Sequence, residues 1–341
     1  MADNNFLNMT RILALVFLLV GLIWFFYTIA WVIQLVVISL LIVYILFPVA
    51  EFFKKRFRFS HFLSVITAFS IFLMVIFTMV GLVVPILQRE IEDILGDLPY
   101  YIAQFQYYTE ELAEYLETFN LGPEFQQAIT GLSADLQPIM EELASISIFV
   151  IASFVDIFFI LFIVFYLLHD FQNVRSAIMS LVPQAYFSHA EQIINIIDLN
   201  FGSYIRGNIV RCAIVGLITG LFLNFLGMPY ALLLGIVAGV LNIIMYIGPF
   251  LAAIPAVIFS FSPLTPSPHL IIISYVAIQI IDGTLLAPYL VGQAVKLKPI
   301  TVIVGLLIGQ QLAGFLGMIL STPIAGIARG VIEYMREQKN T

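Results

Sequence analysis

Apolar residues dominate this chain in long uninterrupted blocks. Residues 11–29 and 31–50 are two tightly joined apolar stretches, followed by His61 to about Leu87, about Ile146–Leu168, about 208–226 and about Leu270–Ala287. A helix of roughly 20 apolar residues crosses the ~30 Å hydrocarbon core of a bilayer, whereas membrane strands would show alternating runs of about ten. The pattern therefore predicts an all-α polytopic membrane protein. Two more apolar runs, 230–262 and 300–335, are too long for one span and carry glycine or proline in their middles. Counting these as two broken, re-entrant or fully crossing, helices gives about eight membrane elements.

One polar segment interrupts this series. Residues 88–142 hold 12 acids and one base, a net −11, while the other 286 residues, with 13 bases and nine acids, stand at +4. Within the segment Ile102, Phe105, Tyr108, Leu112, Tyr115 and Phe119 recur at spacings of three and four. So do Phe125, Ile129, Leu132, Leu136, Ile139 and Leu143 after Gly122–Pro123. Two such stripes around a Gly-Pro break predict an antiparallel helical hairpin in water. It serves either as a packed cap or as a docking surface or funnel. The resulting organisation is 1–87, a three-span scaffold; 88–145, the acidic extracytoplasmic hairpin; 146–207, a fourth span with amphipathic surface helices; and 208–341, a broken-helix core.

Composition narrows the function. Of 341 residues, 62% are hydrophobic and 10% charged, against about 25% charged in soluble domains. That excludes a cytosolic enzyme and a nucleic-acid partner. Cys212 is the single cysteine, so there is no intramolecular disulfide framework and no multi-cysteine metal site. No metal-ligand spacing, nucleotide loop, HExxH or paired catalytic Asp motif occurs; neither cofactor nor metal nor enzymatic activity is expected.

Charge also orients the chain. Lys54, Lys55, Arg56 and Arg58 form the densest basic cluster, and such loops stay in the cytoplasm. Both termini are then cytoplasmic and the acidic segment lies outside, in a multi-pass membrane protein. Lys296, Lys298, Arg329, Arg336 and Lys339 fall on the cytoplasmic side whether the broken runs are hairpins or pairs of full spans.

Breaks at membrane depth expose backbone groups that lipid cannot satisfy, so they face protein or a watery cavity. A matched pair of broken segments marks a transport site. Gly248, Pro249, Gly314 and Gly317 are the expected lining; the competing reading is close helix packing through Gly235-x3-Gly239 and Gly305-x3-Gly309. Asp156 and Asp282 are carboxylates within spans, which cost roughly 2.5–3.5 kcal/mol each to insert. Each is either a proton or cation carrier or a structural partner, Asp156 of Arg206 or Arg211. Gln279 lies one turn before Asp282, and Asn242, Gln310 and Gln311 sit near breaks where they could bond a polar solute.

YIRGN (Tyr204–Asn208), GMPYALLLGIVAGVLN (Gly227–Asn242), YIGP (Tyr246–Pro249), AIPAV (Ala253–Val257), Asp282-x5-Pro288-x3-Gly292-x3-Lys296-x2-Pro299 and GFLGMILSTPIAG (Gly314–Gly326) resemble the autoinducer-2 exporter (AI-2E) family of bacterial membrane transporters. The resemblance covers the whole chain. It departs at Met245, where the family usually has proline, at Asn208, where glutamine is common, and at Gly283 and Thr284, where asparagine often follows the acid. The resemblance implies a secondary transporter of the bacterial inner membrane that works as a homo-oligomer, with a pentamer as the expected assembly. It implies export of a small polar signalling molecule for some members and Na+/H+ exchange for others. A membrane scaffold without transport is the alternative of a different class; broken helices and mid-membrane carboxylates speak against it.

Overall fold

The computed structural model describes residues 28–117, 154–263, 265–291 and 297–340, together with 17, 18, 21, 22, 24 and 25. The first expected span, the second arm of the acidic hairpin, the start of the fourth span and Lys296 thus lie wholly or largely outside the described residues. Among those described there is no strand. Six helical stretches are long and apolar enough to cross a bilayer, and two shorter apolar helices accompany them.

The first layer is three helices. α1 (Ala30–Phe57) ends where Lys54, Lys55 and Arg56 fill its last turn and Arg58 turns the chain with φ 55°; cations there meet the negative end of the helix dipole. α2 (His61–Glu117) returns and continues unbroken into the acidic segment, 57 residues in all. α3 (Phe154–Ser180) follows. Val43, Leu46 and Ala50 of α1, Val65 and Ala68 of α2, and Val164 and Leu168 of α3 form one buried cluster. At its end the His61 ring meets the His169 carbonyl at 2.8 Å.

The chain then runs along the surface on the side of the basic loop. A short 3-10 turn leads to α4 (Phe187–Ile197) and a π-helical turn (Asp198–Gly202), which passes directly into α5 (Ser203–Phe225). Asp198 joins this part to the first layer, accepting from Tyr44 Oη at 2.8 Å and from Arg175 Nη1 at 3.3 Å.

Two hairpins follow. α6 (Ala231–Leu241) and α7 (Ile247–Phe259) have 11 and 13 residues, about 17 and 20 Å long, too short to cross ~30 Å of hydrocarbon. α6 lies in contact with α5 through glycines: a Cβ on Gly235 would stand 2.6 Å from Gly220 Cα and 2.8 Å from the Gly216 carbonyl. This is small-residue packing, so Gly235-x3-Gly239 packs helices rather than breaking one. After α8 (Pro268–Ile281) and a ten-residue π-helix (Asp282–Val291) comes α9 (Pro299–Asn340). α9 is long enough for one span but is not one. Ala313 (φ −146°, ψ 25°) and Gly314 (φ 57°, ψ −138°) reverse it, and Gly309 and Gly317, eight residues apart, press backbone to backbone. One step further down, a Cβ on Gly305 would stand 3.6 Å from Ser321 Cβ. Residues 299–312 and 315–340 are therefore antiparallel arms.

The hairpins enter from opposite sides. The base of α6–α7 rests against the far part of α2, with the Tyr101 and Phe259 rings 5.0 Å apart. The second arm of α9 ends on the α4 side, where the Tyr334 hydroxyl lies 2.7 Å from His189 Nδ1. Between them, Ile243, Ile244 and Met245 at the tip of the first hairpin pack on Val302, Leu306 and Met318 of the second.

Candidate functional site: a buried polar cluster at the tip of the first hairpin

The first break lies at Asn242–Tyr246, earlier than the Gly248–Pro249 position read from composition. Gly248 belongs to the first turn of α7 and is buried against the Leu241 carbonyl, closing the hairpin; Pro249 beside it is half-buried. Pro fits there because an N-terminal helical residue needs no N–H partner. In the second hairpin Gly314 makes the reversal and is exposed, while Gly317 is buried in the arm crossing.

Asp282 ends α8, opens the π-helix and is wholly buried, with 0% of its side chain exposed; Arg211 of α5 is 4% exposed. Arg211 Nε donates to Oδ1 and Nη2 to Oδ2, both at 2.7 Å, the bidentate geometry that suits guanidinium and carboxylate. Arg211 Nη1 donates to Asn208 Oδ1, one turn earlier, at 3.1 Å. Asn242, the first residue of the hairpin tip, donates from Nδ2 to Asp282 Oδ2 at 3.5 Å, while its Oδ1 is buried with no hydrogen-bond partner.

Three elements converge to build this cluster. Arg211 lies 14 residues from the end of α5, Asn242 lies 11 residues past the start of α6, and Asp282 lies 14 past the start of α8. At 1.5 Å per residue these are depths of about 21, 17 and 21 Å from one side, inside a core of ~30 Å. A charge there needs a partner. The cluster meets that need internally: one cation, one anion and two amides leave it neutral, with one acceptor, Asn242 Oδ1, lacking a donor. It can therefore take a hydrogen-bond donor from a solute without a change of net charge.

The remaining expected residues are placed elsewhere. Gln279 is half-buried on α8, its carbonyl accepting the Asp282 N–H. Gln310 and Gln311 are exposed beside the α9 reversal. Asp156 is half-buried in the first turn of α3; Arg211 pairs with Asp282 instead, and Arg206 Nη1 donates to the Tyr44 carbonyl at 3.3 Å. Two partnerships do not follow from the sequence pattern: Arg211 with Asp282, and Asn208 with Arg211. The helix begins at Ser203 rather than at 208, which carries Arg211 deeper into the bundle. The usable signal was an unmatched acid and an unmatched base in neighbouring spans.

A multi-pass helical bundle with two opposed hairpins and a buried polar cluster at the tip of the first defines the class: an α-helical membrane transport protein. The family model described as "AI-2E family transporter" matches residues 12–337, and the chain belongs to that family. Among its relatives, "Putative transport protein YueF" of Bacillus subtilis (strain 168) is 30% identical over 299 residues, covering 84% of this chain and 80% of that one. YrrI of the same bacterium, which carries the same description, is 33% identical over 168 residues, 49% of this chain and 48% of that protein. The Escherichia coli (strain K12) permease-named protein PerM is 28% identical over 172 residues, 50% and 48% of the two chains.

Proposed function

We propose that this protein is a secondary transporter that exports a small polar signalling molecule of the autoinducer-2 type across the bacterial cell membrane, without a catalytic step. The observation that carries this reading is the buried cluster of Arg211, Asp282 and Asn242, built by α5, α8 and the tip of the first hairpin, beside the contact of that tip with the second hairpin through Ile243, Ile244 and Met245. Each hairpin closes one route to the cluster, so tilting one and then the other gives alternating access. The solute bonds to the free Asn242 acceptor and exchanges hydrogen bonds with the ion pair. Lys54–Arg58 and both termini are cytoplasmic, the acidic arm is outside, and the assembly is a homo-oligomer.

Na+/H+ exchange is the competing reading. It requires Asp282 to leave Arg211 and take up a cation beside a guanidinium that never deprotonates, which disfavours it. Proteoliposomes decide between the two. Autoinducer-2 counterflow with no sodium-driven change in lumenal pH supports the exporter. A sodium-driven pH change without counterflow overturns it.

A further inference from the structure

The first hairpin lacks a cap of its own. Tyr230, at the N-cap of α6, sits in left-handed backbone (φ 57°, ψ 28°) and gives no side-chain hydrogen bond to the first turn. The cap comes from α2: Glu90 Oε2 accepts the Leu233 N–H at 2.8 Å, from 143 residues earlier in the chain. A carboxylate at a helix N-terminus satisfies an orphan donor and opposes the positive end of the dipole.

This contact is the first of a ladder. Ile94 of α2 is buried in the cluster that also contains Leu233, Leu234 and Phe259. Tyr230 Oη donates to Asp97 Oδ2 at 2.8 Å. The Tyr101 ring stands 5.0 Å from that of Phe259, and the Phe105 ring 5.1 Å from that of Phe261. Positions 90, 94, 97, 101 and 105 form one stripe at helical spacing. They grip both feet of the hairpin, the start of α6 and the end of α7.

From its gripped foot α6 runs about 17 Å to Asn242, and its Gly239 packs against the Cys212 carbonyl, where a Cβ would stand 2.9 Å away. We propose that Glu90 is a positioning residue: capping α6 from α2, it sets the tilt of the first hairpin and thereby the seat of Asn242 against Asp282. The acidic arm then acts as a lever on the site, and movement of the arm loosens the tip. The consequence for export rests on the transport reading above; the mechanical link does not.

Cys212, the single cysteine of the chain and buried beside Arg211, reports on that link without engineering. N-ethylmaleimide modification of the full-length protein in nanodiscs should speed up about tenfold in Glu90→Ala, from loss of a charged cap. Glu90→Gln, whose amide oxygen still accepts, should show a smaller increase. Tyr230→Phe, which deletes the hydroxyl's bonds to Asp97 and Tyr101 of α2, should accelerate modification several-fold. Asp93→Ala, exposed on the same helix, should leave the rate at the wild-type value. Unchanged rates in both Glu90→Ala and Tyr230→Phe overturn the proposal. So does an equal increase in Asp93→Ala, which would mean general loosening of α2. Failure of autoinducer-2 counterflow with these Cys212 rates intact would remove the exporter and leave the lever standing.

Discussion

Arg211 and Asp282 are 71 residues apart and meet through two parallel hydrogen bonds of 2.7 Å in the interior of the bundle. A buried pair of this kind adds little over an apolar pair of similar volume, but removing one member strands a charge at a cost of about 3–5 kcal/mol. Arg211→Met and Asp282→Leu should each lower thermal stability by that order. The double variant should regain most of the loss. Thermal unfolding in detergent, read as a double-mutant cycle, checks this; strictly additive losses would deny the coupling.

Asp282→Asn separates charge from shape. Its amide keeps hydrogen-bonding capacity but leaves Arg211 a lone cation, so stability should fall while Asp282→Asn combined with Arg211→Gln recovers it. Asp156→Asn should change stability by no more than about 0.5 kcal/mol. The same unfolding series compares all three.

Asn242 should behave in the opposite way. Its donor bond is long at 3.5 Å and its acceptor is unpaired, so Asn242→Ala should cost the fold less than about 1 kcal/mol. Counterflow should nevertheless fall at least tenfold. Full counterflow in a stable Asn242→Ala protein would take the hairpin tip out of the site.

The α9 reversal depends on backbone contact. Alanine at Gly309 or Gly317 would press its Cβ into the opposite arm, and overpacking of this kind costs about 1–3 kcal/mol. Gly283→Ala, with nothing within 4 Å of the added carbon, should be close to neutral. Unfolding temperatures of the three variants measure the contrast.

Orientation is testable by labelling in a Cys212→Ser background. A cysteine at Tyr107, 66% exposed on the far part of α2, should react with a membrane-impermeant maleimide in intact cells. One at Lys55 should react only after permeabilisation. The reverse pattern would invert the proposed topology.

What the sequence alone determined follows from properties that each residue carries locally. Hydropathy names the solvent, because a run such as 31–50 can lie only in lipid, and the charges of 88–142 can lie only in water. Asp282 and Asn242 were legible as candidates because a polar group at membrane depth needs a reason wherever it sits. The tertiary structure alone decided partnership. Helices apolar on every side carry no stripe to say which face meets which neighbour, so nothing local joined Arg211 to Asp282 or Glu90 to Leu233. It also decided where the chain turns. Gly248 and Pro249 looked like the break by composition, yet Pro249 suits a helix start and Gly248 packs against Leu241, which moves the turn back to Asn242–Tyr246. The fate of α9 was equally non-local. A 42-residue helical stretch becomes two arms rather than one rod because Gly309 and Gly317 let the backbones touch, and only the folded chain brings them face to face.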